Sequence, residues 1–375
     1  MKPKIFSEIG PIERVFVYSP GKEHNLVLPN DIQPFLEDNG SIYSNEDFLL
    51  FDDLMDLQIG KKQHEVFMDI INFYKEDSCI NIRSDFQKIL NNENVKNDYP
   101  LINLMYPRDI AVIIGKQIYL TSSSNKVRKA ENLITEIFFK NDSAYKDCEI
   151  IDFKKINRKL SLEGGDIFVI NEEIVMIGIS ERTSLEAIEL IVPHIFEQSF
   201  KKVIAINLPK KRAMMHLDTI FTQTSYNEGI MFNHDDYDIQ NLDVFVATKG
   251  CNSNKLIKQK IKFLDILKDL NFNLISCGGV NDNFKLREQL TDGANSFVLE
   301  PGKIIMYNCN YNTIKELEKN DYKHISSKSL YKDQLTFDKI LRSDSKVVIS
   351  IDGSELVKGR GGPRCMTLPI NRGLL

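Results

Sequence analysis

One cysteine in this sequence lies in a setting that could make it a nucleophile. Cys365 ends the segment 358–365, which contains three glycines and two arginines. Glycine permits positive φ and close approach of the backbone to a ligand. Cationic neighbours such as Arg360 and Arg364 favour the thiolate, which is the reactive form of cysteine. The alternative is a surface turn with a buried, inert thiol, because cysteine often serves as a small hydrophobic residue.

Three segments upstream of this cysteine concentrate acidic and polar side chains. Their residues are Asn103 with Asp109, Glu163 with Asp166, and His216 with Asp218. Paired carboxylates suit binding of a cationic substrate or acid–base catalysis. Each also has a structural alternative, since acids are common in turns and a single histidine is commonly structural. No third His or Cys follows at ligand spacing, so we expect no metal site.

A thiolate, a histidine and several carboxylates together indicate covalent catalysis on a cationic electrophile. A guanidinium carbon suits this set, because carboxylates can hold its N–H groups by charge-assisted hydrogen bonds and fix the carbon against the sulfur. The histidine could protonate departing ammonia and then activate water. Amide hydrolysis fits less well, because clustered carboxylates would oppose a developing oxyanion.

The candidate groups precede segments with the hydrophobic pattern of strands. A unit of strand, turn, strand and helix begins near residues 109, 166, 218 and 295, and a fifth begins near 345. The leading polar residues are Asp109, Asp166, Asp218 and Asn295. A repeated unit of about fifty residues predicts a radial or stacked α/β architecture. In a radial one the leading residues would converge near the axis; otherwise each is an ordinary strand-end or turn residue. Both interpretations stay open here.

Other elements can be predicted from local patterns. They are a strand over residues 14–19, helices over 46–75 and 126–139, and a polar connector over 76–98. The helices of the second and fourth units have capping-box spacing at Thr183 and Thr313.

Composition is that of an ordinary globular protein. Of 375 residues, 42% are hydrophobic and 27% charged, and the formal net charge of −5 argues against broad electrostatic binding to nucleic acid. Six scattered cysteines without a CxxC motif predict reduced thiols. The N-terminal segment lacks the apolar region of a secretory signal, and no apolar run could span a bilayer. We therefore expect a cytoplasmic protein without membrane or nucleic-acid partners.

Taken together, the motifs resemble those of the arginine deiminase family, in the guanidino-group-modifying (pentein) superfamily. In order they are Ser7–Pro11, Tyr18–Glu23, Leu49–Asp53, His64, Arg108–Asp109, Glu163–Asp166, His216–Asp218, Arg287–Gln289, Asp292–Gly293 and Gly359–Cys365. The resemblance runs nearly end to end. It implies one catalytic domain over residues 1–375, a five-fold pseudosymmetric α/β-propeller of ββα(β) repeats with a shortened helical insertion at 46–100.

The resemblance also implies roles for individual residues. Cys365 is expected as the nucleophile, His216 as the general acid and base, and Glu163 as the residue that orients His216. Asp109 and Asp218 are expected to bind the guanidinium group. The remaining substrate-binding set is Asn103, Arg128, Arg182, Arg360 and Asp166. Of these, the first three would contact the α-carboxylate, and Arg360 would be mobile beside the nucleophile. Arginine would give citrulline and ammonia without a metal or cofactor.

Three positions depart from the family pattern. Pro107 stands where a Thr or similar residue is frequent, Ala130 where a basic residue is frequent, and Leu290 where a Trp is frequent. They keep open another guanidino substrate, such as a methylated arginine, or transfer of the amidino group to an amine. A non-catalytic arginine-binding protein is a further alternative. Because the helical insertion is shortened, the oligomeric assembly of the family does not carry over directly, and a homo-oligomer remains one possibility.

Overall fold

A computed structural model describes residues 2–32, 37–38, 41–42, 49–93, 95–251 and 255–375. The strands β1 to β20, in chain order, are Ile12–Val17, Glu37–Asp38, Ser41–Ile42, Cys79–Asn81, Ala111–Ile114, Gln117–Leu120, Ile150–Asp152, Ile167–Asn171, Ile174–Ile179, Lys202–Asn207, Phe221–Ser225, Glu228–Met231, Asp243–Thr248, Ile257–Lys262, Asn273–Ser276, Phe297–Glu300, Lys303–Tyr307, Tyr322–Ser326, Lys346–Ile351 and Leu368–Arg372. The helices α1 to α10 are Leu57–Tyr74, Arg83–Asn92, Lys129–Asn141, Phe153–Ile156, Leu185–Phe196, Phe263–Asp269, Asp282–Leu290, Tyr311–Lys319, Lys328–Lys332 and Gln334–Leu341. The fold is therefore mixed α/β.

Most of the strands assemble into several small sheets that share one connectivity. In each, a leading strand pairs antiparallel with a second strand, which pairs in parallel with a third. These trios are β5-β6-β7, β8-β9-β10, β11-β12-β15, β16-β17-β19 and β20-β1-β4. The antiparallel pair β13 and β14 extends the second sheet, and β18 extends the fourth. The recurrence agrees with the repeated unit seen in the sequence.

The sheet that contains β20 joins the first and last strands of the chain. β20 pairs antiparallel with β1, and β1 pairs in parallel with β4. The predicted start of a fifth unit near residue 345 is wrong, because β19 is the parallel partner of β17 in the fourth sheet. The local pattern identified a strand correctly, but hydrophobic periodicity does not specify which strand is its partner.

The region between residues 46 and 100 is more ordered than its polar sequence indicates. The predicted helix over 46–75 is shorter, since α1 begins after Asp56, whose carboxylate accepts from the backbone N–H groups of Gln58 and Ile59. Residues 46–48 lie outside the described residues. The predicted connector contains both β4 and α2. This segment thus supplies one strand of the sheet that β20 completes.

The two predicted capping boxes lie near helix starts but not at the expected residues. α5 is capped by Ser184, whose Oγ accepts from the backbone N–H of Ala187 at 3.1 Å, one residue after Thr183. α8 begins after Asn310, so Thr313 lies inside the helix. The hydroxyl of Thr313 instead donates to Glu288 at 2.6 Å, a tertiary contact that the spacing rule cannot anticipate.

The hydrophobic core consists of clusters that join neighbouring sheets to the helices beside them. Ile113 of β5, Val175 of β9 and Ile191 of α5 are buried in one such cluster. Cys365 and Met366 belong to another. The candidate nucleophile therefore rests on close-packed side chains, which hold a site more precisely than an exposed loop would.

The leading strands bring the candidate polar groups together at one end of the sheets. Asp109 precedes β5, Asp166 precedes β8, Asp218 precedes β11, Asn295 precedes β16 and Cys365 precedes β20. The backbone N–H of Leu217 donates to Asp166 at 2.9 Å, and the Asn295 amide lies 3.2 Å from both the Asp218 carbonyl oxygen and Cys365 Sγ. The leading residues thus form one cluster, and Cys365 holds the corresponding position in the sheet of β20, β1 and β4.

All six cysteines lie in the described residues and carry free thiols. In the part of the chain that the structure describes, no helix combines the length and apolar character needed to cross a membrane.

Candidate active site

Cys365 is buried at the base of a narrow cavity. Its Sγ lies 3.2 Å from Asn295 Nδ2 and 3.5 Å from Asp218 Oδ2. Burial raises the pKa of the Cys365 thiol well above its usual range, and the carboxylates of Asp218, Asp109 and Asp292 raise it further. The sulfur is therefore a thiol at neutral pH unless positive charge is added beside it.

Arg364 favours the thiolate as its place in the sequence predicts, but its hydrogen bonds are to other groups. Its guanidinium group donates to Glu8 at 3.0 Å, to Asp218 at 2.8 Å and to the carbonyl oxygen of Ile167 at 2.7 Å. It also stacks over the ring of Phe168, 3.7 Å from the centroid. Arg364 lowers the pKa of Cys365, but burial and the carboxylates outweigh it. Its structural effect is to fix Asp218.

Asp109 and Asp218 share an arrangement that suits a cationic ligand. Oδ2 of Asp109 accepts from Arg128 Nη1 at 2.5 Å, and Oδ2 of Asp218 accepts from Arg364 Nη1 at 2.8 Å. The other oxygen of each carboxylate is buried without a hydrogen-bond partner among the described residues. A buried acceptor without a donor is costly, so each carboxylate has one oxygen fixed by arginine and one available to a ligand.

His216 lies between two carboxylates. Its Nε2 is 3.0 Å from Glu163 Oε2, and its Nδ1 is 3.6 Å from Asp109 Oδ1. Burial alone would lower the pKa of His216, but Asp109, Glu163 and Asp166 raise it well above its usual value. Burial likewise would raise the pKa of Glu163, yet His216 and the nearby arginines lower it. The pair is therefore imidazolium and carboxylate at neutral pH.

Backbone contacts hold this pair in place. Glu163 Oε1 accepts from the backbone N–H of Ser124 at 2.9 Å, and the backbone N–H of Glu163 donates to the Thr183 hydroxyl at 3.1 Å. Gly165 passes directly beneath the imidazole, where a Cβ would lie 2.5 Å from His216 Nδ1. Glycine at 165 is therefore required for the close approach of backbone and imidazole.

Asp109, Glu163 and His216 also form a group of potential metal ligands, with one ligand atom from each within 4.8 Å of the others. Both ring nitrogens of His216 face carboxylate oxygens. This arrangement suits an imidazolium that is hydrogen-bonded to Glu163 and lies within ion-pair distance of Asp109, whereas a metal ligand must be a neutral imidazole. The expectation of a metal-free site stays a prediction.

Arg128 and Asn103 line the basic end of the cavity, which adjoins Asp109. Arg128 donates to Glu131 at 2.7 Å as well as to Asp109, and its Nη2 lies 3.0 Å from the carbonyl oxygens of Asn103 and Tyr106. The side-chain amide of Asn103 donates to the carbonyl oxygen of Leu49 at 2.9 Å. The polar groups of both side chains are thus already bound to protein groups.

Arg182 and Arg360 complete this basic end. Nη1 of Arg182 lies 3.5 Å from the Ser124 hydroxyl, while its Nε is buried without a hydrogen-bond partner among the described residues. Arg360 adopts a left-handed backbone conformation with φ of 59°. Its side chain donates to Asp52 and, at 3.3 Å, to the carbonyl oxygen of Leu290. Arg360 is therefore held at the rim by a partly exposed acid.

The space enclosed by these groups is small. Its lining consists of Leu50, Asn103, Tyr106, Asp109, Arg128, Glu163, Arg182, Met215, His216, Thr219, Gly359, Arg360 and Cys365. Its volume is about 20 Å³, room for about one water molecule, so an arginine-sized ligand requires the walls to separate. A larger cavity of about 350 Å³, between β14 and α6, contains none of the candidate residues.

The structure brings nearly all of the predicted residues to this cavity. Asp218 and Asp166 do not line it. Asp218 is fully buried beside the sulfur, with its Oδ2 3.5 Å from Cys365 Sγ. Asp166 lies behind the cavity and accepts from the Ser180 hydroxyl at 2.6 Å and from the backbone N–H of Leu217 at 2.9 Å. Burial raises the pKa of Asp166 to about 7. Its two oxygens are thus both occupied, and it fixes the backbone between His216 and Asp218.

Several contributing residues were not identified as site residues from the sequence. Glu131 and Asp52 bind the arginines of the basic end, and Glu8 binds Arg364. Asn295 was visible only as the leading residue of its unit. The spacing of Arg128 and Glu131, three apart on a predicted helix, was a usable signal. The other contacts join segments distant in sequence.

Comparison with known proteins gives consistent matches. The family model described as arginine deiminase matches residues 72–372. The arginine deiminase of Borreliella burgdorferi (strain ZS7) is 30% identical over 439 residues, covering 98% of this chain and 97% of the relative. That of Bacillus cytotoxicus is 27% identical and covers 98% of each.

Solved structures support the fold. The product-bound N-terminal domain of ArgZ, an arginine dihydrolase from cyanobacteria, has a TM-score of 0.59 at 14% identity, covering 96% of this chain and 98% of that one. A dimethylarginine dimethylaminohydrolase adduct with 4-chloro-2-hydroxymethylpyridine has a TM-score of 0.53 at 15% identity, covering 95% and 99%.

Proposed function

This chain belongs to the arginine deiminase family, and on that premise we propose that it hydrolyses free L-arginine to L-citrulline and ammonia through a covalent intermediate on Cys365. The family match confirms the family and the hydrolase class predicted from the sequence. One observation carries the proposed site: the sulfur of Cys365 and the imidazole of His216 face two carboxylates that each keep a buried oxygen without a hydrogen-bond partner among the described residues.

The two carboxylates bind the substrate's guanidinium group. The free oxygens of Asp109 and Asp218 accept from its N–H groups through charge-assisted hydrogen bonds. Because both carboxylates raise the pKa of Cys365, a cation bound between them removes much of that effect. Arginine thereby promotes the thiolate that attacks it.

The reaction then proceeds in two steps. The sulfur forms a bond to the guanidinium carbon, the C–N bond breaks, and His216 gives its proton to the departing ammonia. The product of this step is a thiouronium on Cys365. The neutral His216 next accepts a proton from water, whose oxygen bonds to the same carbon. The C–S bond breaks, the remaining proton of the added hydroxyl passes through solvent to the released ammonia, and citrulline, ammonium and the thiolate result. Glu163 orients His216 and stabilises its charge.

The basic end takes the α-carboxylate of arginine. Asn103, Arg128 and Arg182 line the same cavity as Cys365, and so does Arg360. Their presence favours an α-amino-acid substrate over a simple guanidine, since a planar guanidinium can bind a carboxylate through two hydrogen bonds. Asp166 contributes indirectly, by fixing the backbone beside His216.

We also propose the architecture that the family implies, a five-fold pseudosymmetric α/β-propeller in one catalytic domain over residues 1–375. The shared connectivity of the sheets and the meeting of their leading residues support it. The alignment to the Borreliella burgdorferi relative runs over more positions than this chain has residues, which supports a shortening somewhere in the chain. Its place in a helical insertion within residues 46–100 stays a prediction. A cytoplasmic location and a homo-oligomer stay predictions.

Product analysis tests the reaction. Folded protein given L-arginine should form citrulline and ammonia in equal amounts, with or without a chelator. Failure to form citrulline across neutral and mildly acidic pH would overturn the proposal. The Cys365→Ala variant should lose turnover, whereas calorimetry should still detect binding of arginine to it. Turnover near the wild-type level would contradict the assignment of Cys365 as the nucleophile.

A second candidate keeps the chemistry and changes the substrate. Leu290 contributes the carbonyl oxygen that binds Arg360, and it stands where the family often has a larger Trp. A panel of arginine, methylated arginine and agmatine, with and without an amine acceptor, separates deimination of arginine from action on another guanidine. Calorimetric binding without any product would favour the non-catalytic alternative.

A further inference from the structure

Asn295 makes four hydrogen bonds around the nucleophile. Its side chain is fully buried ahead of β16. Its Oδ1 accepts from the backbone N–H groups of Arg364 at 3.1 Å and Cys365 at 3.2 Å. Its Nδ2 lies 3.2 Å from the Asp218 carbonyl oxygen and 3.2 Å from Cys365 Sγ. One amide group therefore holds both the backbone and the sulfur of Cys365.

The orientation of this amide follows from its partners. Backbone N–H groups can only donate, so the atom facing those of Arg364 and Cys365 must be the oxygen. A backbone carbonyl can only accept, so the atom facing that of Asp218 must be the nitrogen. The two hydrogens of Nδ2 then point to the Asp218 carbonyl and to the sulfur. No flipped orientation satisfies these partners.

We propose that Asn295 is a further catalytic residue, whose Nδ2–H donates a hydrogen bond to Cys365 Sγ and stabilises the thiolate that attacks the substrate. This rests on the proposed role of Cys365 as nucleophile. Among the described residues, the Asn295 amide is the one N–H donor to this sulfur. Hydrogen bonds to a charged acceptor are stronger than those between neutral groups, so the contact favours the thiolate over the thiol.

The charges around the sulfur explain why an amide suits this position. Asp218, Asp109 and Asp292 all disfavour a negative sulfur, and Arg364 opposes them only in part because it pairs with Glu8 and Asp218. A lysine or arginine donor at the sulfur would stabilise the thiolate but repel the guanidinium group. A neutral amide stabilises the thiolate without that repulsion. The site therefore combines a cation-binding region with an uncharged amide that donates a hydrogen bond to the thiolate.

Two substitutions and a matched control test the proposal. Asn295→Asp keeps an acceptor for the backbone N–H groups and loses the donor to the sulfur, and Asn295→Ala removes both. Asn310→Ala is the control, because Asn310 is equally buried and makes two hydrogen bonds to Thr291 away from the sulfur. We expect kcat/KM for arginine to fall about 100-fold in both Asn295 variants, the size of effect seen for one catalytic hydrogen-bond donor.

A thiolate titration separates this role from a structural one. The ultraviolet absorbance of the thiolate, taken as the difference between each protein and its Cys365→Ser counterpart, should shift to higher pH in the Asn295 variants and not in Asn310→Ala. An activity loss without that shift, or a shift without an activity loss, would overturn the proposal. If both Asn295 variants fail to fold, the wild-type protein provides the test through isotope-labelled asparagine. In the NMR spectrum of that protein, one asparagine side-chain amide resonance should shift as Cys365 ionises. If no such resonance shifts, the contact between Asn295 and the sulfur is refuted.

Failure of the underlying mechanism is distinguishable. Mass spectrometry of acid-quenched wild-type protein with arginine should detect an adduct on Cys365. If citrulline forms with no such adduct and Cys365→Ala remains active, the nucleophile assignment fails. If the adduct forms and the Asn295 variants titrate and turn over like the wild type, only the role of Asn295 fails.

Discussion

At the acidic end of the site, Asp109 and Asp218 each keep one oxygen without a hydrogen-bond partner among the described residues, whereas Arg128 and Arg360 at the basic end are bound to acids of the protein. The acidic end is thus preorganised for a cation. The basic end must exchange existing contacts for a substrate carboxylate, and that exchange reduces the net gain from binding. Recognition of the guanidinium group should therefore contribute mainly to the rate, and recognition of the carboxylate mainly to selection between substrates.

Breaking the acidic end should have the largest effect. Asp218→Asn removes the charge beside the sulfur and leaves Arg364 with one acidic partner fewer. We expect kcat/KM for arginine to fall about 1,000-fold, because electrostatic contacts to the reacting group are worth this much in a buried site. Steady-state kinetics measures it. Asp166→Asn alters a carboxylate whose oxygens both already accept hydrogen bonds. The fall in kcat/KM for Asp166→Asn should be at least tenfold smaller than that for Asp218→Asn. Equal losses would contradict the assignment.

The imidazolium of His216 makes the stability of the acidic end depend on pH. A raised pKa contributes stability below the ordinary histidine value of about 6.5, and this is lost as pH rises through the folded-state value of about 10. Denaturant unfolding should therefore show a Cys365→Ala protein losing more stability between these pH values than the Cys365→Ala/His216→Gln protein. The shared Cys365→Ala background removes titration of the nucleophile. Parallel curves would exclude a charged His216.

The basic end is tested by Arg128→Lys. Lysine cannot reproduce the contacts of Arg128 to Asp109, Glu131 and two carbonyl oxygens. We expect KM for arginine to rise about 30-fold, as for loss of one buried charged contact, and the preference for arginine over agmatine to narrow. Arg83→Lys is the control, because Arg83 makes a bidentate ion pair with Glu23 outside the cavity. An unchanged preference for arginine would show that Arg128 does not select the carboxylate.

The smallest effect should come from releasing Arg360. Asp52→Asn weakens the ion pair that holds Arg360 and also that with Arg212. If this pair competes with substrate, KM for arginine should fall about threefold, within the range of a partly exposed ion pair. Asp243→Asn breaks an exposed pair with Lys258 and Lys262 elsewhere and serves as the control. A rise in KM would mean that Asp52 positions Arg360 instead of restraining it.

The sequence was sufficient to select the acidic residues and the cysteine that meet in the structure, but not their mutual contacts. Motif spacing placed His216 and Asp218 on one segment, and glycine at 165 is where the backbone must approach the imidazole. It could not place Asp166 behind the cavity, because which face a carboxylate takes depends on Ser180 and the backbone of Leu217. Side-chain direction is decided by tertiary packing and not by residue type.

Long-range pairing accounts for the other differences. The strand over residues 346–351 was recognised, but its parallel partner β17 was not. Arg364 stood beside the cysteine in sequence, yet it binds Glu8 at the other end of the chain. Both outcomes depend on which segments meet, and periodicity within one segment carries no information on that choice.

The sheet of β20, β1 and β4 links catalytic competence to the completion of folding. Cys365 precedes β20, and its neighbour Arg364 is tied to Glu8 across a sequence separation of 356 residues. Contacts of such high contact order require closure of nearly the whole polypeptide. A chain whose C-terminal segment is still in the ribosome would lack both the sulfur and the Arg364 contact that fixes Asp218. Activity is therefore a property of the finished fold.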